Sequence, residues 1–220
     1  MKLYTYFRSS AAYRVRIALN LKGVTYESVA INLLKGEQRE EAYRSINPQQ
    51  RVPSLDIGAT TLIQSPAILE YLDEVYPEPP LLPVGAVTRA KVRAIASLIA
   101  CDIHPLNNSG TLGYLKNRLG HDKAATDEWY AHWVREGCDA IEALLGPGPY
   151  AFGPRITLAD VYLVPQVFNA RRFNIPLDAY PKIVAADAAC AEHKAFQAAA
   201  PANQPDATSR KIASVPGRMR

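Results

Sequence analysis

The fold of this chain is decided by residues 3–23, which read LYTYFRSSAAYRVRIALNLKG. Residues 3–6 are rich in aromatic side chains and predict a short β-strand. The polar triplet Arg8-Ser9-Ser10 interrupts that strand, and residues 13–22 predict a helix that ends at Gly23. Within this helix we expect Arg14 and Asn20 to point outward, away from its apolar face. A strand followed directly by a helix indicates that the next strand runs parallel to the first.

Strands and helices continue to alternate as far as residue 76. The pattern predicts strands at residues 25–31, 52–57 and 60–63, and helices at residues 37–45 and 65–76. The resulting order, β-α-β-α-β-β-α, combines a parallel crossover with a terminal antiparallel hairpin, as a thioredoxin-like domain does. We therefore predict an α/β thioredoxin-like N-terminal domain over residues 1–78.

The pattern becomes helical beyond a proline-rich linker, residues 78–87. Apolar residues recur at helical spacing from residue 92 to residue 103, which predicts one long helix, and residues 122–145 predict another. Thr157 and Asp160 form a capping box before a helix that is apolar on nearly every side, and short helices follow over residues 181–200. We predict an all-α C-terminal domain over residues 88–206 and a disordered tail over residues 207–220.

Composition and charge exclude several classes of function. The net charge of +4 comes from basic residues scattered along the chain, which argues against nucleic-acid binding. The chain contains no run of about 18 apolar residues, so no membrane-spanning helix is predicted. The three cysteines and four histidines lack the spacing of a redox or metal site. Because unpatterned cysteines favour a reducing compartment, we expect a cytoplasmic protein without a metal.

The position after the first strand is where thioredoxin-like proteins carry redox chemistry. Here it reads Ser9-Ser10-Ala11-Ala12, and serine and alanine cannot supply the thiolate that dithiol exchange requires. A hydroxyl at the N-terminus of a helix can instead hydrogen-bond a thiolate that belongs to a ligand. Ser9 is therefore a candidate ligand-binding residue, and the alternative is that Ser9 and Ser10 only cap the helix.

Two further features suit a peptide ligand. If the Val52–Pro53 bond is cis, the N–H and C=O of Val52 form an unpaired edge to which a peptide can pair. A helix begins at Gln64-Ser65 with Ser65 as its cap, and such an N-terminus favours a carboxylate unless Ser65 is a plain cap. A thiol at Ser9, a backbone at Val52 and a carboxylate at Ser65 together describe a small acidic peptide.

Residues 8–19, RSSAAYRVRIAL, resemble the R-S-S-C-x-x-R-V-R-I-A-L signature of zeta-class glutathione transferases. Residues 47–53, 63–68, 102–108 and 163–167 are similar to other blocks of that class, and the resemblance runs from residue 3 to about residue 206. The class includes maleylacetoacetate isomerase and the bacterial maleylpyruvate isomerases. The resemblance implies a glutathione transferase fold, glutathione as the cofactor, a homodimer, and cis–trans isomerisation of a maleyl oxo-acid, a small dicarboxylate, in aromatic catabolism.

The resemblance also implies roles for individual residues of the first domain. Ser9 would stabilise the glutathione thiolate, and Val52 would pair with the cysteinyl backbone. Gln64 and Ser65 would hold the γ-glutamyl end of the tripeptide. These roles coincide with the three ligand contacts interpreted above.

His104 and Asn108 are the glutathione contacts that the resemblance places in the second domain. Their i, i+4 spacing predicts that they share one helix face. Pro105 between them is expected to kink the helix and free a carbonyl. The alternative for His104 is an ordinary histidine on a helix surface.

Arg8 and Arg172 are the candidates for binding a dianionic substrate. A planar guanidinium binds a carboxylate through two parallel hydrogen bonds. Arg8 adjoins the thiolate position, and Arg172 resembles the substrate-carboxylate arginine of the family. For each of the two, a surface salt bridge is the alternative.

Ala11 departs from the family, most of which has cysteine at this position. The chemistry would then depend on the thiol of glutathione itself, which leaves isomerisation possible. The resemblance favours maleylpyruvate as the substrate, because relatives that act on maleylpyruvate also lack this cysteine. Ser109-Gly110 stands where such relatives can carry arginine, which would weaken the carboxylate clamp. Two alternatives stay open: a glutathione transferase or dehalogenase that acts on small α-halo acids, and a non-catalytic glutathione-binding protein.

Overall fold

The computed structural model describes residues 1–210 and divides them into two compact units. The first unit comprises Met1–Glu78 together with the segment that starts at Lys194, and the second comprises Pro79–His193. The sequence did not predict that the C-terminal segment groups with the first unit. The domain boundaries at residues 78, 88 and 206 stay predictions.

The first unit contains a four-stranded mixed sheet. Its strands are β1 (Lys2–Thr5), β2 (Glu27–Ala30), β3 (Ser54–Asp56) and β4 (Thr61–Ile63), in the spatial order β2-β1-β3-β4. Strand β1 runs parallel to β2 and antiparallel to β3, and β3 and β4 form an antiparallel hairpin. The predicted crossover and hairpin of a thioredoxin-like domain are therefore confirmed.

Three helices accompany the strands within Met1–Glu78: α1 (Ser10–Leu21), α2 (Glu41–Arg44) and α3 (Ser65–Val75). The single helix predicted over residues 37–45 is instead a 3-10 turn, Glu37–Arg39, followed by the short α2. The two are separate because Glu40 has an extended backbone, with φ −69° and ψ 149°.

Helix α1 begins at Ser10, earlier than predicted, because Ser9 caps it and accepts a first-turn N–H at 3.2 Å. The expectation that Arg14 and Asn20 point outward was wrong. Arg14 is 1% exposed and donates to the Ser65 hydroxyl at 3.4 Å. Asn20 donates to the carbonyl of Ala195 at 3.0 Å. Helix α3 and the C-terminal segment pack on α1 and cover both side chains.

The second unit is built from helices, as predicted. They are α4 (Ala86–Ser97), a π-helical turn (Leu98–Ile103), α5 (His104–Asn107), α6 (Ser109–Asn117), α7 (Lys123–Leu144), α8 (Leu158–Arg172) and α9 (Pro181–Ala191). The long helix predicted up to residue 103 is thus interrupted by backbone hydrogen bonds that span five residues. Helix α8 is buried along most of its length and packs against α4 and α9. Within residues 1–210, no helix has the length and apolar character needed to cross a bilayer.

The predicted capping box at the start of α8 is present. The fully buried carboxylate of Asp160 accepts the N–H of Thr157 at 2.8 Å and its hydroxyl at 2.9 Å. The same carboxylate accepts the N–H of Ala151 at 2.8 Å. Burial raises the pKa of Asp160, and these hydrogen bonds oppose that rise. This helix start is therefore occupied by groups of the chain itself.

The C-terminal segment contains α10 (Lys194–Ala199) and two 3-10 turns, Pro201–Asn203 and Pro205–Arg210. Helix α10 packs on α1. The last turn includes residues 207–210, where the sequence predicted the start of a disordered tail, and the rest of that predicted tail lies outside the described residues.

Candidate active site

Ser9 is the N-cap of α1 and lies partly exposed at the end of the loop that leaves β1. Its Oγ accepts the N–H of Ala12, while its own proton goes to no acceptor among residues 1–210. The partial positive charge of the helix N-terminus adds to this donor. Ser9 therefore presents a hydroxyl that can hydrogen-bond an anionic ligand atom.

The Val52–Pro53 peptide bond is cis. The hypothesis that a peptide pairs with an unpaired backbone edge at Val52, called the peptide-edge hypothesis below, requires this. In the part of the chain that the structure describes, neither the N–H nor the C=O of Val52 has a hydrogen-bond partner. An adjacent donor and acceptor are what an extended peptide needs in order to pair with a backbone. Val52 therefore keeps the pairing capacity that the sequence analysis assigned to it.

Two buried side chains that the sequence analysis missed hold the loop around Val52. The Tyr43 hydroxyl donates to the carbonyl of Arg51 at 2.7 Å. The amide of Asn47 donates to the same carbonyl at 2.7 Å and to the hydroxyl of Ser54 at 3.1 Å. Asn47 lies in residues 47–53, one of the blocks that are similar to the family. That similarity was the signal from which the sequence could have identified Asn47. Because Arg51 and Ser54 flank the cis bond, these contacts fix where Val52 lies.

The start of α3 differs from the prediction. Ser65 does not cap the helix: it is the first helical residue, and Gln64 occupies the cap position with a left-handed backbone, φ 69°. Such a φ is costly for a residue other than glycine and occurs often at ligand-binding positions. The Gln64 amide donates to Gln49 Oε1 at 2.7 Å.

The first turn of α3 keeps the features that favour a carboxylate. Its first N–H groups, such as that of Ser65, have no partner inside the helix. The buried Ser65 hydroxyl accepts a hydrogen bond from Arg14, which brings a guanidinium from α1 to this helix start. Sequence reasoning missed Arg14, because it was expected to point outward.

Arg8 precedes the capping serine directly. Its guanidinium lies 5.0 Å from the centre of the Phe7 ring. Arg8 makes no ion pair with any residue in the range 1–210, so the alternative of a surface salt bridge is not found there. The charge of Arg8 is therefore available to an anionic ligand.

His104 and Asn108 do not share a helix face, and that prediction was wrong. Helix α5 ends at Asn107, and Asn108 has an extended backbone that starts α6. The Asn108 side chain accepts the N–H of Gly110 at 2.8 Å and donates to the carbonyl of Pro105 at 2.8 Å. The Pro105 carbonyl is thus engaged. The glutathione contacts of His104 and Asn108 stay predictions.

Arg172 lies exposed in the last turn of α8. It donates to Asn169 Oδ1 at 3.3 Å, and its guanidinium lies 4.6 Å from the centre of the Phe173 ring. The Phe173 ring stacks on that of Tyr130 at 3.7 Å. Burial raises the pKa of Tyr130 to about 12, and the positive charge of Arg172 opposes that rise. Arg172 thus lies beside the aromatic pair of Phe173 and Tyr130 at the end of α8.

The residues predicted to form the site fall into the two units. The first unit carries Arg8, Ser9, Val52, Gln64 and Ser65, and the second carries His104, Asn108 and Arg172. In the first unit the Arg14–Ser65 hydrogen bond joins α1 to the start of α3. Across residues 1–210 no group of three or more side chains could hold a metal ion.

Both halves of the chain match models of known families. Residues 1–74 match the glutathione S-transferase N-terminal domain, and residues 123–193 match the glutathione S-transferase C-terminal domain. These matches agree with the α/β unit and the helical unit described above.

Known proteins extend the similarity over nearly the whole chain. A maleylpyruvate isomerase from Ralstonia sp. is 55% identical over 210 residues, which cover 94% of this chain and 99% of that protein. A holo maleyl pyruvate isomerase structure, described as a bacterial zeta-class glutathione S-transferase, is 55% identical with a TM-score of 0.92 over 94% of this chain and 99% of that one. A maleylacetoacetate isomerase from Methylobacterium extorquens AM1, solved with malonate and glutathione, is 36% identical with a TM-score of 0.91 over 94% and 99%.

Proposed function

Because the chain belongs to the zeta class of the glutathione S-transferase family, we propose that it is a glutathione-dependent cis–trans isomerase. Its substrate is a maleyl oxo-acid, maleylpyruvate or maleylacetoacetate, which it converts to the fumaryl isomer in aromatic catabolism. The observation that carries the proposal is the Ser9 hydroxyl, a donor with an unused proton at the start of α1. Ala11 stands nearby and has no thiol, so the chemistry needs the thiol of glutathione.

The residues of the first unit fit glutathione. The Ser9 hydroxyl would donate to its thiolate, and the unpartnered backbone of Val52 would pair with its cysteinyl residue. The N-terminus of α3, with Gln64, Ser65 and the buried guanidinium of Arg14, would hold the γ-glutamyl carboxylate. These groups would bind the sulfur, the cysteinyl backbone and one carboxylate of the tripeptide.

Glutathione, when bound, supplies a thiolate that adds reversibly to the cis double bond and so permits rotation about it. The task of Ser9 is to keep that sulfur ionised at neutral pH, since a free thiol has a pKa of about 8.5. A hydrogen bond to a charged group contributes about 1.5–3 kcal/mol, which lowers a pKa by about one to two units. Ser9 and the dipole of α1 can therefore place the thiol pKa near 7.

The two arginines would bind the carboxylates of the substrate. Arg8 makes no ion pair in residues 1–210, and the exposed side chain of Arg172 lies beside Asn169 and Phe173. A planar guanidinium can bind a carboxylate through two parallel hydrogen bonds. His104 and Asn108 remain proposed glutathione contacts, and because the Asn108 side chain caps α6, His104→Ala is the more informative change.

We further propose that the protein is a cytoplasmic homodimer, as its family resemblance implies. The oligomeric state is tested by light scattering on the purified chain. A mass equal to that of one chain at micromolar concentration would contradict the dimer.

The decisive experiment is an assay of maleylpyruvate and maleylacetoacetate with and without glutathione. We expect the fumaryl product only when glutathione is present, and no net consumption of glutathione. Absence of glutathione-dependent turnover of both substrates would contradict the proposal. Release of halide from a small α-halo acid, without isomerisation, would support the transferase or dehalogenase alternative. Glutathione binding without either reaction would indicate a non-catalytic protein.

A further inference from the structure

Arg16 holds the short loop that leads into Ser9. It lies in the second turn of α1, is fully buried, and donates from Nη2 to the carbonyl of Phe7 at 3.1 Å. From Nη1 it donates to the hydroxyl of Thr5 at 2.9 Å and to the carbonyl of Tyr6 at 3.4 Å. One guanidinium therefore binds three consecutive residues that end directly before Arg8 and Ser9.

The C-terminal segment reaches the same loop. The carboxylate of Asp206 accepts the N–H of Phe7 at 2.8 Å, and Nε of Arg16 donates to the carbonyl of Ala199 at 3.0 Å. Both the N–H and the C=O of Phe7 are therefore bound, one by Asp206 and the other by Arg16. The N–H of Ser9 in turn donates to the carbonyl of Tyr6 at 2.9 Å.

The charges in this network complement one another. Burial lowers the pKa of Arg16 to about 10, an effect that Tyr26, Asp206 and Tyr13 oppose. A buried cation is costly unless it is hydrogen-bonded and faces negative charge. Asp206 therefore serves two purposes, since it supports the charge of Arg16 and binds the backbone that Arg16 also binds.

We propose that Asp206 and Arg16 are positioning residues of the thiolate site, so that the C-terminal segment sets the placement of Ser9 and Arg8. The inference rests on the proposed role of Ser9. A hydrogen bond to a thiolate depends steeply on distance and angle, so a small displacement of the loop reduces it. The segment from Lys194 to Asp206 is thus a working part of the glutathione site, contributed from nearly 200 residues along the chain.

The test compares the acidity of bound glutathione in four variants of the full chain. Asp206→Ala removes both the acceptor and the charge, and Asp206→Asn keeps an acceptor and removes only the charge. Asn203→Ala is the matched control, because it removes one hydrogen bond of the same segment, to the carbonyl of Gln197 at 2.7 Å, without touching the loop. Ser9→Ala is the reference for full loss of the thiolate donor.

The readouts are the pH titration of thiolate ultraviolet absorbance in the glutathione complex, glutathione affinity by calorimetry, and turnover. We expect Asp206→Ala to raise the thiol pKa by about one unit and to lower turnover about tenfold at neutral pH. Asp206→Asn should show a smaller rise, and Asn203→Ala should match the unmodified protein. The fold-change in glutathione affinity should be smaller than the roughly tenfold change in thiol acidity. The reason is that the contacts to the backbone and carboxylate of the tripeptide lie at Val52 and at the start of α3.

Two outcomes separate this inference from the proposed function. If Ser9→Ala raises the thiol pKa and neither Asp206 variant does, the positioning role is overturned while the function stands. If Ser9→Ala leaves the thiol pKa unchanged, the assigned role of Ser9 itself fails. Should Asp206→Ala not fold, Asp206→Asn decides, and a thiol pKa equal to that of Asn203→Ala overturns the proposal.

Discussion

Helices α1 and α8 both begin at a hydroxyl residue, Ser9 in the first unit and Thr157 in the second. At α8 the Thr157 hydroxyl donates to Asp160, whose buried carboxylate also accepts two backbone N–H groups. At α1 the Ser9 hydroxyl accepts one N–H, and its proton meets no acceptor between residues 1 and 210. The start of α8 is thus closed, in the sense that its hydroxyl already donates within the chain. The start of α1 is open, because the Ser9 hydroxyl can still donate to a ligand.

A structural helix cap and a ligand-binding one can be told apart by whether the chain itself satisfies the polar groups. Polar groups at a buried helix start must be satisfied by the chain itself, because an unpaired buried group costs about 1–3 kcal/mol. A partly exposed start can keep a free donor at little cost, because water occupies it until a ligand does. Changes at the start of α8 should therefore lower the free energy of unfolding, and changes at the start of α1 should lower turnover.

The largest expected effect is that of Asp160→Ala at the closed helix start. The change leaves the N–H of Ala151 and both donors of Thr157 without their acceptor in a buried site. We expect the free energy of unfolding to fall by about 3–5 kcal/mol, measured by urea denaturation with linear extrapolation. The control is Asp178→Ala, at an exposed aspartate, which should change it by less than about 0.5 kcal/mol. Equal stability of the two variants would remove the contrast between the helix starts.

The next effect is that of Ser9→Ala at the open start. Turnover should fall about 100-fold, since one donor to a developing or fixed anion is lost, and the pH–rate profile should move to higher pH. Loss of the cap should cost only about 1 kcal/mol of stability. Ser10→Ala is the matched control, because Ser10 is the neighbouring buried hydroxyl and does not cap the helix. A pH–rate profile of Ser9→Ala that matches the unmodified protein contradicts the thiolate role.

A smaller effect is expected when Arg172 at the other end of α8 is changed to alanine. The KM for the dicarboxylate substrate should rise about tenfold in steady-state kinetics, because a charge-assisted contact is lost. Arg171→Ala is the control, since Arg171 pairs with Asp187 at 2.5 Å and should leave this KM unchanged. If both variants behave alike, Arg172 does not bind the substrate carboxylate.

The smallest effect should come from Gln64→Ala at the start of α3. We expect glutathione affinity to fall about fivefold in calorimetry, which corresponds to one neutral hydrogen bond. Gln49→Ala removes only the acceptor of the Gln64 amide and should have a weaker effect. A stronger effect of Gln49→Ala would indicate that Gln49, and not Gln64, contacts the tripeptide.

Features that depend on residues a few positions apart were predicted well from the sequence. The crossover of β1, α1 and β2 followed from the change of periodicity, and the capping box of Thr157 and Asp160 from a spacing of three. The cis bond before Pro53 agreed with the peptide-edge hypothesis. The periodicity and the residue spacing that predict these features can be seen in short stretches of the sequence.

Features that depend on packing between elements were missed or wrong. Arg14 was expected at the surface, but α3 and the C-terminal segment bury α1 on that side. Asn108 was expected on the face of a helix with His104, but the helix ends at Asn107 and Asn108 caps the next one. Charge and periodicity do not reveal the contact of Arg14, because its partner Ser65 lies on another element. The error at Asn108 is local, because its side chain bonds the backbone of Pro105 and Gly110.

By itself the sequence determined the class of fold, the family and the types of group at the site, because signature, periodicity and helix caps are properties of short segments. The tertiary structure alone decided that Arg16 and Asp206 bind the backbone of Phe7, two residues before Ser9. It also decided that Tyr43 and Asn47 fix the loop around Val52. The physical reason is that a hydrogen bond needs its two atoms within about 3 Å, and only folding brings residues distant in sequence that close.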